Sequence, residues 1–142
     1  MLAALLPNQV SDHWELLKKD IENSLPPIAD YGPYDLNALL YSCMVGAMQV
    51  WLVQDKEQKN KGFVTTSILR DVSGVSTLII YNAIMVENTP VSDWASGYDT
   101  LVTFARSKGC AKIGAFVMNE KILAILKDHD FETRFVFAHK NI

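Results

Sequence analysis

The sequence predicts an α/β (α+β) domain in which a mixed central sheet is flanked by helices, in the order α-α-β-β-β-α-β-α-β. Three observations predict it. Two early stretches carry apolar residues at helical spacing, and three consecutive runs rich in β-branched and aromatic residues follow with short polar joints. The last of these runs holds the longest apolar segment, LIIYNAIMV (78–86), and reaches the next strand through a helix. Strands joined by a hairpin pair antiparallel, whereas strands joined through a helix pair parallel by a right-handed crossover, so the sheet is mixed.

SDHWELLKKDIENSL (11–25) places Trp14, Leu17, Ile21 and Leu25 on one helical face, with Asp12 and Glu15 at capping-box spacing. PPIADYGP (26–33) stops that helix, and YDLNALLYSCMVGAM (34–48) resumes the pattern around Leu36, Leu39, Leu40 and Cys43. QVWLVQD (49–55) and GFVTTSILR (62–70) flank a polar joint and form a hairpin, and DVSG (71–74) turns into the third strand, 75–86. PVSDWASGYDTL (90–101) then opens a helix with Trp94, Leu101 and Ala105 on the sheet side and Gly109 as its C-terminal cap. CAKIGAFVM (110–118) is a strand and NEKILAILKDHD (119–130) a helix. FETRFVFAHKNI (131–142), alternating Phe131, Thr133, Phe135 and Phe137 against other residues, reads as a final strand at the sheet edge.

At 142 residues, 49% hydrophobic and 20% charged, the chain (1–142) fits a single domain that buries roughly two-thirds of its unfolded surface. The longest apolar run is about half the ~20 residues a membrane helix needs, and MLAALLP lacks the basic start of a secretory signal. No membrane association and a cytoplasmic location are expected, with Cys43 and Cys110 as reduced thiols. A net charge of −3 without a basic block argues against a nucleic-acid partner. His13, His129 and His139 fall on different elements with no metal-ligand spacing, so no metal is expected.

FARSKGCAKIGAFVMNEKILAILKDHDF (104–131), together with the element order, resembles the GNAT N-acetyltransferase superfamily. The matching features are Ala105 to Cys110 at the end of a helix, Asn119 opening the next helix, and Asp130-Phe131 where that family commonly has Gly-Phe. The chain also resembles a divergent branch of GNAT-like proteins encoded by tailed bacteriophages, in its two leading helices, MQVWLV (48–53) and a Trp in the third helix. The GNAT resemblance implies acetyl-CoA as cofactor and amine acetylation as the reaction. The phage resemblance implies a virion or assembly component in the host cytoplasm.

Two departures from the GNAT pattern bear on activity. That family grips pyrophosphate with Arg/Gln-x-x-Gly-x-Gly/Ala at the start of the third helix. Counting back without gaps from Gly109-Cys110 places Thr89, Ser92 and Trp94 at those positions, and aligning Leu101 with the leucine that usually follows places Asp93, Ser96 and Tyr98 there. Neither offers a glycine where converging N–H groups need open space, Trp94 or Tyr98 would occupy it, and the carboxylate of Asp93 opposes an anion at the helix start. Leu126 stands where the resemblance places the tyrosine that protonates the leaving thiolate, and a leucine cannot donate a proton.

The candidates that remain are few. Glu87 is the acidic residue nearest the end of the third strand, readable as a general base or as a solvated loop carboxylate. Asn82 interrupts the apolar strand, either to bond a substrate amide or as a bulge or edge residue. If acetyl-CoA binds, Ile84, Met85 and Val86 supply backbone to its pantetheine arm, with Ser92 and Asn119 beside it. Two readings follow: a GNAT-fold binding or structural protein with a degenerate site and no expected cofactor, or an active N-acetyltransferase with an unconventional phosphate loop. The first reading expects a protein partner or self-association, through Phe135 and Phe137 and the hairpin tip Lys56 to Lys61 at the sheet edges.

Overall fold

The computed structural model describes residues 1–24, 35–85 and 91–142. Their elements are β1 (Leu2–Ala4), α1 (Pro7–Asp12), α2 (Trp14–Ser24), α3 (Leu36–Met44), β2 (Met48–Gln54), β3 (Asn60–Arg70), β4 (Ser76–Met85), α4 (Val91–Ser107), β5 (Lys112–Ala115) and α5 (Glu120–Asp128). The sheet runs β1-β2-β3-β4-β5, antiparallel except for the parallel β4–β5 pair that the helical crossover predicts.

Both faces of the sheet are covered. Along β2, Met48 and Val50 join Phe63 and the buried faces of α1 to α3 (Val10, Trp14, Leu17, Ile21, Cys43) in one cluster. Trp51 points the other way, joining Leu2, Val64, Leu78, Leu101 and Ala105 under α4. This alternation follows from the period of two along a strand. Asp35 caps α3 by accepting from the Asn37 and Ala38 N–H groups, a job suited to a short acidic side chain at a helix start. α4 ends as its sequence predicts, at Gly109 with φ +73°, where the Cys110 N–H reaches back to the Ala105 carbonyl at 2.9 Å. Among the described residues no helix is long and apolar enough to cross a membrane.

The structure departs from the sequence reading in several of its elements. MLAALLP supplies β1, with Leu2 opposite Val53 and Ala4 opposite Trp51. Leu and Ala carry little strand preference, so the free edge of β2 makes this segment a strand. The first helix is two helices meeting at His13, and Asp12 closes α1 instead of capping the second. The hairpin of β2 and β3 is interior, because β1 and β4 flank it, so its tip and the far end of β3 at Leu69 and Arg70 are exposed but neither strand is a sheet edge. FETRFVFAHKNI forms no strand: Phe135, Val136 and Phe137 are 75%, 89% and 63% exposed. An alternating pattern marks a chain that can pair, but without a neighbour its backbone groups stay with water.

Candidate functional site

The site that the fold builds lies where β4 and β5 part. The two strands pair from Thr77 opposite Lys112 to Ile80 opposite Ala115, packed tightly at Gly114, where a Cβ would come within 3.1 Å of the Ile79 side chain. The Phe116 N–H bonds the Ile80 carbonyl at 3.2 Å, and among the described residues that is the last rung between them. β4 runs on to Met85, paired with β3 alone among the described residues. The backbone groups of Tyr81 to Met85 that face β5 therefore look into a fork.

A bulge sets the direction of that fork. Thr65 lies opposite Asn82 and Thr66 opposite Ile80, which leaves Tyr81 as an extra residue in β4. The extra residue reverses the alternation. Leu78 and Ile80 face the α4 cluster, whereas Tyr81 and Ile84 pack with the cluster under α2 and α3. Asn82 follows the same reversal and reaches α2: its amide nitrogen donates to the Ser24 hydroxyl at 2.6 Å, and Ser24 donates to the Asp20 carbonyl at 2.7 Å. Its amide oxygen accepts from the Thr65 N–H at 3.2 Å and from the Thr65 hydroxyl. Asn82 is thus a bulge residue that ties β3, β4 and α2 together, and its polar atoms are engaged within the protein.

The rings of Tyr81 and Phe116, the first residues past the last paired positions, meet edge to face at 5.3 Å across the fork. Sequence reasoning missed this pair and Ser24. The signal available was a Tyr inside LIIYNAIMV and a Phe at the matching depth of the following strand, but pairing them needs the register. Ile84 is half-buried, and Met85 ends β4 opposite Gly62. Val86, Glu87 and Thr89 lie outside the described residues. Ser92 falls in the first turn of α4, which begins at Val91. Trp94, expected on the sheet, is instead 42% exposed. Asn119 caps α5, its side chain accepting from the Lys121 N–H at 2.8 Å, and Leu126 is half-buried on that helix.

Elsewhere the chemistry is sparse. Among the described residues no group of three or more His, Cys, Asp or Glu side chains could hold a metal ion. Cys43 and Cys110 are free thiols, and burial pushes the Cys43 thiol up to about 11, so it stays protonated at neutral pH. An open groove of about 780 Å³ runs between β1 and α4 over Trp51 and Phe104. The hydroxyls of Thr100, Thr103 and Ser107 along it donate to carbonyls of their own helix, which leaves no free donor aimed outward from them.

No family model matches this chain, and no curated protein matches it in sequence. Solved structures do. An aminoglycoside acetyltransferase from an uncultured soil metagenomic sample, in complex with sisomicin, aligns with a TM-score of 0.72 and 14% identity, over 100% of this chain and 95% of that one. The ribosomal-protein-alanine N-acetyltransferase of Brucella melitensis biovar Abortus 2308 aligns with a TM-score of 0.68 and 11% identity, over 100% and 99%. The aminoglycoside 6'-N-acetyltransferase AAC(6')-Ih of Acinetobacter baumannii aligns with a TM-score of 0.65 and 19% identity, over 100% and 98%. At such identities the likeness speaks for the backbone alone, and on that ground this chain has the GNAT N-acetyltransferase fold.

Proposed function

We propose that this protein is a GNAT-fold binding or structural component that does not use acyl-CoA productively and acts through contact with protein. The resemblance to proteins of tailed phages points to a role in a particle or its assembly. The side chains of the fork carry this reading. The amide of Asn82 is spent on Thr65 and Ser24, Ala83, Ile84 and Val117 carry no proton to move, and the Tyr81 phenol, the one proton donor among these side chains, sits on a ring that packs against Phe116 and the cluster under α2 and α3. A general acid or base has to stand within hydrogen-bond reach of the reacting atoms. Leu126, in the place the resemblance gives to a proton donor, supplies none.

The parting of β4 and β5 favours a second reading, an active acetyl-CoA-dependent N-acetyltransferase. In it, the backbone from Tyr81 through Met85 and on to Val86 pairs with the pantetheine arm, Ser92 and Asn119 flank the cofactor, and Glu87 serves as base. One measurement separates the two. A ligand at a hundred times its dissociation constant stabilises a domain by about 2.7 kcal/mol, a rise of several degrees in Tm at this size. Millimolar acetyl-CoA is expected to leave the Tm unchanged. A saturable rise of several degrees, with turnover on mixed amines, establishes the enzyme instead.

A further inference from the structure

All the buried hydrophobic side chains of the described core precede Arg106; Ala105 is the last of them. The stretch that follows is not polar. Met118 is 74% exposed, Ile122 and Ile125 of α5 are half or nearly half exposed, and α5 buries no residue at all. β5 is the last strand of the sheet, so its outer row of N–H and C=O groups has no strand beside it among the described residues. Beyond Phe131, whose N–H bonds the Leu126 carbonyl and whose ring lies 6.2 Å from that of Tyr98, the tail makes no backbone-to-backbone bond among the described residues.

Each copy of the chain thus carries an open strand edge and, unattached, a segment with the alternation of a strand. We infer that the protein is a two-fold dimer in which the tail of each copy, residues 132–142, adds as a strand to the β5 edge of the other. Donor and acceptor on one chain are the self-complementary arrangement that a two-fold axis requires. Strand addition satisfies the exposed β5 backbone and covers Met118, Ile122 and Ile125 with the alternating side chains of the tail. The size is right: the β5 strand with its flanks, the apolar face of α5 and the tail come to about twenty residues a side, within the range of an interface burying roughly 800 Å² per partner.

This inference rests on the protein-contact reading, and its test is the assembly state of the full chain by sedimentation equilibrium and light scattering. The wild type is expected to be a dimer. Val136→Pro removes an N–H and strand compatibility from the middle of the tail. Val136 is 89% exposed, so the monomer is expected to fold unchanged by circular dichroism while the dimer weakens on the order of a hundredfold. Phe135→Lys is expected to weaken it as well. A wild type that stays monomeric overturns the inference, whether or not a foreign protein co-purifies. So does a dimer indifferent to Val136→Pro. A monomer indifferent to acetyl-CoA overturns this inference alone, and a tail-dependent dimer stabilised by acetyl-CoA overturns the non-enzymatic reading alone.

Discussion

Thr66 shows how a small polar residue can be fixed inside an apolar sheet. It is fully buried, accepts from the Trp51 indole N–H at 2.9 Å and donates to the Gln49 side-chain oxygen at 2.9 Å. Thr66→Val keeps the shape and removes both bonds, which leaves a buried indole N–H without an acceptor. The expected loss is about 1–3 kcal/mol in urea unfolding. Thr66→Ser, which keeps the hydroxyl, is expected to lose about 1 kcal/mol, the worth of a buried methyl group. Equal losses in the two variants would place the cost in packing. Asn82 belongs to the same class: the sequence singles it out as the polar break in an apolar strand, yet only the bulge at Tyr81 turns its amide toward Ser24 rather than toward the α4 face with Leu78 and Ile80.

At the scale of the element, α4 separates direction from burial. Trp94 stands seven residues before Leu101 and eleven before Ala105, so a helical period puts all three on one side, and Leu101 and Ala105 are indeed buried. Periodicity says which way a side chain points and not whether anything lies beneath it. Near the start of α4, Trp94 remains 42% exposed. Trp94→Ala is therefore expected to change stability by less than about 1 kcal/mol, where a core aromatic would cost about 3–5 kcal/mol. Chemical unfolding of the variant decides between them, and the larger loss would put the ring back in the core.

At the scale of the molecule, packing is unevenly distributed along the chain. The central strands β2, β3 and β4 are covered on both faces, whereas everything after Ala105 is half-buried or exposed. Amides protected only by local structure exchange through local opening, and core amides through global unfolding. In dilute solution, hydrogen exchange is expected to be slowest in β2 to β4 and nearly unprotected over 132–142. Protection of that tail is expected to rise with protein concentration as its backbone gains a partner. Tail protection that is strong and independent of concentration would mean that the segment pairs within its own chain.

The sequence by itself determined the helical faces of Trp14, Leu17 and Ile21, the three antiparallel strands, the parallel crossover to β5, and the caps at Asn119 and Gly109, because each is written in local spacing or in the conformational preference of one residue. The tertiary structure alone decided the rest. β1 exists because β2 had a free edge, the final strand does not form because the tail meets no partner among the described residues, and Tyr81 finds Phe116 because a one-residue bulge reverses a strand's alternation. Strand pairing and register are relations between distant segments, and a local pattern describes only what each segment is able to join.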